Sequence, residues 1–326
     1  MTTEGTARGK VILFGEHAVV YGIPAIAVGI ERGARATAAR LDGGGPSTLR
    51  VRDWNISVRE DDEATPLARA FRDLLSLTRE AGGAVDPVSV DAEADLPPGG
   101  GLGCSAALGV AVARALDPAA PDEVIAERAG VWERVFHGNP SGGDAAVSAL
   151  GGCVLFERGA GSEKPTITRI RVPGVFQLCI GNTGQASSTR SMVEAVARLR
   201  ERRPETTQRA FDAIHTLVKN ARLAIEAADR NAVGQLLDLN QMLLSGLFVS
   251  TPEIEQMCGS ARAAGALGAK LTGAGGGGCV VALVDTAEVG AKVLAAWKRE
   301  GFEGFLTTFG APDAGRRAIT FMESAP

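Results

Sequence analysis

The sequence predicts an α+β protein of two domains, and three observations lead there. The chain has 326 residues, 45% of them hydrophobic, enough to bury a sizeable core and to make about two domains. Over its first half, short apolar runs bounded by glycine and proline alternate with stretches of helical spacing, so strands and helices intermix. Beyond Pro173-Gly174 the pattern changes to several long helical stretches enclosed by strands. That change places a domain boundary there, dividing 1–174 from 175–326.

Taken in order, residues 10–14 form an apolar run that stops at Gly15, and residues 23–30 form another. Gly22 and Pro24 punctuate the join, so two early strands flank a loop. Further strands are expected over 35–41 and 48–58, separated by the turn-rich Asp42-Gly43-Gly44-Gly45-Pro46. Residues 65–81 have helical spacing, with Leu67, Ala70, Phe71, Leu74 and Leu75 on one side. A strand over 88–94 leads into a glycine-rich loop, and a small apolar helix over 105–116 follows it. The next helix spans 121–136, with Pro121 in its first turn. A short helix over 142–150 ends at Gly151 and Gly152, before a strand at 153–157. In the second half a strand at 175–180 precedes helices over 189–202, 205–228, 231–244 and 252–264. Strands near Lys270 and over 279–284, a helix over 288–299 and a strand at 305–308 complete the chain.

Composition excludes several classes. Charged residues make up 22% and the formal net charge is −4, unlike a disordered chain or a basic nucleic-acid binder. The 42 glycines cluster instead of repeating, which excludes a collagen-like chain. The N-terminal residues lack an apolar signal core, and no run reaches the length of a membrane span. The five cysteines, Cys104, Cys153, Cys179, Cys258 and Cys279, are odd in number and show no C-x-x-C spacing. A disulfide framework or zinc site is therefore not expected, and a reducing cytoplasm fits.

The first chemical signal is Pro97-Pro98-Gly99-Gly100-Gly101-Leu102-Gly103-Cys104-Ser105-Ala106-Ala107, between a predicted strand and a predicted helix. Consecutive glycines leave backbone N–H groups uncovered, and the helix start adds free N–H groups and a positive dipole end. Together they suit phosphate oxygens, and Ser105 places a hydroxyl there that could ligate magnesium. No Gly-Lys-Ser/Thr ending is present, so this is not a Walker A loop. A glycine-rich turn capping a tightly packed helix fits the same residues.

Two further segments carry titratable groups: residues 9–22, with Lys10, Glu16, His17 and the sole tyrosine Tyr21, and residues 133–144, with Glu133, His137 and Asp144. Asp144 follows a Pro-Ser-Gly-Gly turn and opens a helix, where a carboxylate is stabilised. Taken singly, Asp144 as a helix cap and Lys10 as a solvated charge explain both residues. Glu133 and His137 are four apart and would share one helix face. His215 reads as a partly buried helix residue.

In combination these segments resemble the GHMP kinases. Pro97 to Ala107 is similar to that family's second motif, with Cys104 replacing the first of two serines and Ser105 retained. Residues 9–22 and 133–144 resemble the mevalonate kinase branch, with Trp132 where that pattern begins with glycine. Lys270-Leu271-Thr272-Gly273-Ala274-Gly275-Gly276-Gly277-Gly278-Cys279 is similar to the third motif, although a flexible connector would also fit four consecutive glycines. Ser188-Thr189-Arg190 resembles the start of the first long helix of the family's second domain, but Ser187 stands where many members have arginine.

The resemblance implies the two-domain GHMP kinase fold, an N-terminal α/β domain with a left-handed βαβ-type phosphate loop and a C-terminal ferredoxin-like α+β domain. It implies transfer of the ATP γ-phosphate to the 5-hydroxyl of (R)-mevalonate, in isoprenoid precursor synthesis, with Mg2+. ATP would be bound by Pro98, Gly99, Gly100, Gly101, Leu102, Gly103, Cys104, Ser105 and Ala106, and the metal by Ser105 and Glu133. Asp144 would be the catalytic base, with Lys10 polarising the acceptor hydroxyl. Glu16, His17, Thr189 and Arg190 would border the acceptor, and Gly273, Ala274, Gly275 and Gly276 would close the site. Arg190 and Arg158 are candidates for the acceptor's carboxylate, and a solvated charge is the alternative for each. His137 is expected to be structural. The partners implied are ATP and a small-molecule acceptor, with neither nucleic acid nor membrane; a homodimer is one oligomeric state known in the family. Another GHMP kinase, acting on phosphomevalonate or a sugar, or a non-catalytic ATP-binding relative, stays open at this point.

Overall fold

The structure, a computed structural model, describes residues 2–41, 44–82, 87–97, 99–137, 142–159 and 165–310; at His137 only the backbone is described. The chain packs into two compact units: residues 1–10, 32–96 and 103–151, and residues 11–31, 97–102 and 152–326. Strands β1 (Thr2–Phe14) and β2 (Ala25–Arg40) each contribute a stretch to both units.

In the first unit the distal half of β2 pairs antiparallel with β5 (Val88–Ala94), from Ala34 opposite Ala94 to Arg40 opposite Val88. Strand β3 (Thr48–Val51) runs parallel to β5 and forms a hairpin with β4 (Ile56–Arg59). Helices α1 (Pro66–Glu80), α2 (Cys104–Leu116), α3 (Asp122–His137) and α4 (Gly143–Leu150) belong to the same unit. Helix α1 starts where it does because the Thr65 hydroxyl accepts from Ala68 N at 3.1 Å, with Pro66 at the first helical position. It buries Leu67, Phe71, Leu74 and Leu75, each contributing about 1.5–3 kcal/mol by leaving water. Helix α2 is made of small apolar residues and is buried nearly all round. Trp132 of α3 is fully buried against it. Gly109 supplies the room, since a Cβ there would lie 2.8 Å from the indole.

In the second unit the proximal part of β2 pairs with β6 (Cys153–Glu157), and β6 with β7 (Thr166–Ile170). A separate antiparallel sheet has the order β11-β8-β10-β9, formed by β8 (Phe176–Asn182), β9 (Gly268–Thr272), β10 (Cys279–Val284) and β11 (Glu303–Phe309). Numbered within this sheet the order is fourth, first, third, second, the ferredoxin-like arrangement. Helices α5 (Thr189–Arg202), α6 (Pro204–Glu226), α7 (Arg230–Gly246) and α8 (Pro252–Ala263) fill the first crossover, and α9 (Ala287–Arg299) fills the second. Ser188, Asp229, Thr251 and Thr286 cap α5, α7, α8 and α9 by accepting from a backbone N–H three residues on. Every residue of β10 is buried, and Trp297 of α9 is buried too, its indole N–H donating to Met257 O at 2.9 Å.

The structure revises several expected elements. The strands expected over 23–30 and 35–41 are one strand, β2. Gly33, between the two expected runs, lies inside it, and a Cβ there would overlap the Ala7 carbonyl. Residues 48–58 fold as a hairpin, reversing near Asn55, which adopts a left-handed φ of 49°. Strand β1 begins eight residues earlier than the apolar run, in polar sequence. Strand β7 carries no clear signal in the sequence.

Candidate active site

The glycine loop after β5 ends at Gly103, the N-cap of α2, whose φ is 71°. Two constraints demand glycine there: the left-handed backbone, and Lys10 Cγ, which a Cβ would approach to 2.8 Å. No side chain caps α2 and no acid lies in its first turn. The N–H groups of Cys104, Ser105 and Ala106 thus open a helix that has no side-chain cap and no acid of its own at its positive end, a site for an anion. Pro98 and residues 138–141 lie outside the described residues, as does the His137 side chain.

Ser105 Oγ donates to Glu133 Oε1 at 2.6 Å, joining the first turn of α2 to α3, and Glu133 is buried. One hydroxyl and one carboxylate make a hard-oxygen donor set, which fits Mg2+, an ion that takes one or two carboxylates and completes its shell with phosphate and water. Cys104 adds no charge: burial, then the nearby Asp53 and Glu133 carboxylates, push its thiol up to about 11. All five cysteines are free thiols.

Lys10 Nζ lies 3.1 Å from Asp144 Oδ1. The lysine side chain is 6% exposed and that of Asp144 45%, so a covered cation meets a carboxylate that solvent or an acceptor can reach. Asp144 sits in the first turn of α4, where the helix N-terminus favours its negative charge. Lys10, Gly103, Ser105, Glu133 and Asp144 all belong to the first unit.

The remaining predicted residues belong to the second unit. The loop between β9 and β10, Gly273 to Gly278, is no flexible connector. Gly276 N donates to Val249 O at 2.7 Å, and Gly278 N to Gln185 O at 2.8 Å. Thr183 N donates to Gly278 O at 2.9 Å, and Ser187 Oγ to Gly275 O. Ser187, which replaces an expected arginine, thus holds the loop. Gly275 needs its lack of side chain, having φ 75° and a Cβ position 2.1 Å from Val249 O. The loop also borders the phosphate loop: Gly273 Cα lies 3.8 Å from where a Gly101 Cβ would sit.

His17 is buried, with backbone φ 60° and ψ −46°. Its Nε2 donates to Ala274 O at 2.8 Å. Burial holds its pKa below the ordinary imidazole value, so the ring is neutral, protonated on Nε2. Glu16, expected to border the acceptor, is buried with both carboxylate oxygens occupied: Lys270 donates to one, and Asn240 Nδ2 to the other at 3.2 Å. The sequence offers Lys270 only as the first residue of a motif, with no hint of this partner. Thr189 and Arg190 open α5 in the exposed state, and Arg190 Nε pairs with Glu194 Oε1 at 2.9 Å. Arg158 is exposed just after β6, and His215 is half-buried in α6 as expected.

Comparison with known proteins gives a consistent picture. The family profile for the GHMP kinases N terminal domain matches residues 67–152, and that for GHMP kinases C terminal matches 221–303. A mevalonate kinase of Pyrococcus abyssi is 34% identical over 299 residues, spanning 85% of this chain and 87% of the relative. One from Aeropyrum pernix is 36% identical over 293 residues, spanning 87% and 89%. Among solved structures, L. major mevalonate kinase in complex with R-mevalonate superposes with a TM-score of 0.83 at 28% identity, covering 96% of this chain and 98% of the other.

Proposed function

The chain belongs to the GHMP kinase family, among its mevalonate kinases, and on that premise we propose that it transfers the γ-phosphate of ATP to the 5-hydroxyl of (R)-mevalonate. The products are 5-phosphomevalonate and ADP. The observation that carries the reading is the Lys10–Asp144 pair, a covered lysine on a half-exposed carboxylate at 3.1 Å. It belongs to the same compact unit as the uncapped start of α2 and the Ser105–Glu133 contact.

Asp144 accepts the proton of the acceptor hydroxyl as its oxygen bonds to the γ-phosphorus, and the bond from that phosphorus to the β-phosphate oxygen breaks. Lys10 supplies positive charge beside the forming alkoxide. The N–H groups at the start of α2, with Gly99 to Gly103, hold the phosphates. Ser105 and Glu133 would hold Mg2+, which when bound offsets charge on the phosphates. His17, Thr189 and Arg190 are assigned to the mevalonate side, and Gly273 to Gly276 to the closing loop, whereas the buried Glu16 is not. The matched profiles fall on either side of residue 174, which is compatible with family domains at 1–174 and 175–326, whereas the compact units divide the chain after residue 151 and give 11–31 and 97–102 to the second unit. The five free thiols support a reducing cytoplasm, and among the described residues no helix is long and apolar enough to cross a membrane.

A coupled ADP-release assay with a panel of alcohols tests the proposal. Turnover with (R)-mevalonate, and little with phosphomevalonate, galactose or homoserine, is expected. Turnover confined to one of the others would replace the acceptor, and ATP binding without turnover on any would make the chain a non-catalytic relative.

A further inference from the structure

The mechanism above makes no use of the buried pair between Glu16 and Lys270, whose side chains are both wholly buried. Burial pushes the Glu16 carboxyl above its ordinary value and the Lys270 ammonium below its own, and each is opposed by the charge of the other. Such a pair is hard to justify by stability alone, because taking two charges out of water costs much of what their attraction returns. Its place in the chain is informative. Glu16 lies between Gly15 and His17, directly after β1, and Lys270 lies in β9, three residues before Gly273.

Apart from one contact within β9, the contacts around it join these two segments or brace them from α7. Lys270 Nζ also donates to its neighbour's carbonyl, Leu271 O. Thr272 Oγ1 accepts from Ile12 N at 3.1 Å and donates to Ile12 O at 3.0 Å. His17 holds Ala274 O. From α7, Asn240 holds Glu16, and Gln241 Oε1 accepts from Leu271 N at 2.9 Å. At the end of this network, His17 keeps a backbone conformation that L residues seldom adopt, of the kind that persists only where its surroundings over-determine it.

We propose that Glu16, Lys270 and Asn240 are positioning residues, a buried clamp that holds the strained His17 turn and the Gly273–Gly276 loop in the arrangement that binds substrates, with Glu16 acting through Lys270 and not on the acceptor. The proposal rests on the reading of the chain as a kinase whose glycine loop closes over nucleotide. It deepens that reading by giving Glu16 a partner inside the protein in place of a substrate.

A double-mutant cycle of E16Q, K270M and E16Q/K270M tests it, with thermal melts, steady-state kinetics and calorimetric affinity for a non-hydrolysable ATP analogue. Removing one partner strands a buried charge, whereas removing both does not. The single variants are therefore expected to melt lower, and the double variant to recover most of the wild-type melting temperature. All three are expected to lose at least about tenfold in kcat/KM, mainly through KM, with the double no worse than the worse single, as coupled residues require. Two results would overturn the clamp. One is E16Q impaired while K270M keeps wild-type kinetics, which would put Glu16 on the substrate itself. The other is a double variant with wild-type KM values, which would leave the pair only a folding role. If the single variants do not fold, the double variant alone decides between these outcomes. The analogue affinity does not involve an acceptor, so it separates the clamp from the choice of mevalonate: a wild type inactive on mevalonate counts against the acceptor, whereas unchanged analogue affinity together with unchanged KM in the double variant counts against the clamp.

Discussion

Two lysine–carboxylate pairs, begun six residues apart in the chain, show how surroundings decide what the same chemistry does. Lys10 meets Asp144, whose side chain is 45% exposed, whereas Glu16 meets Lys270 with neither side chain exposed at all. The exposed Asp144 carboxylate is open to an acceptor hydroxyl, as the proposed mechanism requires. Nothing outside the protein can reach Glu16, whose oxygens are already occupied by Lys270 and Asn240. The proposed roles follow that difference, chemistry for the first pair and geometry for the second.

The largest expected effect is on the exposed pair. Asp144→Asn keeps nearly the size and shape of the side chain but removes the proton acceptor, a role worth about 10²–10⁴-fold. We expect kcat to fall by that factor while ATP affinity, read by calorimetry, stays near wild type. Near-normal turnover in the variant would remove Asp144 from the mechanism and undo the contrast between the pairs.

Melting temperatures should show the opposite ranking. Lys270→Met leaves Glu16 buried without a counter-charge, a loss of about 3–5 kcal/mol for pairs of this kind. Lys10→Met leaves Asp144 hydrated, so the lost ion pair costs about 1 kcal/mol or less. Urea unfolding of the two variants side by side checks this. Equal losses would mean that Glu16 is as well hydrated as Asp144.

A third test stays in the first unit. Ser105→Ala removes the hydroxyl that contacts Glu133 at 2.6 Å. If those two groups hold the metal, the Mg2+ concentration for half-maximal activity should rise about 10–100-fold. An unchanged Mg2+ requirement would take Ser105 out of the metal site.

The groups of the exposed pair and of the proposed metal donor set are readable from the sequence, and the Glu16–Lys270 pair is not, for a physical reason. Ser105 and Asp144 lie in the first turns of helices that follow glycine-rich turns, a feature that local sequence encodes, whereas Lys10 within β1 and Glu133 within α3 stand out only through the family motifs they resemble. The Glu16–Lys270 contact joins residues 254 positions apart, and no local pattern encodes a tertiary pair of that separation. Likewise, α5 to α9 follow from apolar periodicity and capping residues, since both are local. Strand β2 reads as two because its first apolar run stops at Ile30, whereas in the fold the strand continues through Gly33, which makes room for Ala7. Ser187 looked like the loss of a substrate-binding arginine, and only its bond to Gly275 O shows what it does instead.

The smallest effect at neutral pH is expected at Cys104, and its pH dependence carries the information. Cys104→Ser restores the serine of the family pattern, and at pH 7 it should change stability by no more than about 0.5 kcal/mol, because the wild-type thiol is neutral and the phosphates meet backbone N–H groups. In the folded chain burial, with Asp53 and Glu133 nearby, raises this thiol from 9.0 to about 11. In the unfolded chain it ionises near its ordinary value, so between about pH 9 and 11 the folded state holds the extra proton. The linkage slope is then negative: this group's contribution is intact below pH 9 and is lost as pH rises towards 11. Wild type should therefore lose about 2 kcal/mol relative to Cys104→Ser between pH 8 and 10.5 in urea titrations. Other thiols and lysines titrate over this range in both proteins, and their contributions cancel in the difference. Parallel curves would mean that the folded thiol ionises near its ordinary pKa, and a thiolate at the start of α2 would then repel the phosphates that this helix end is placed to hold.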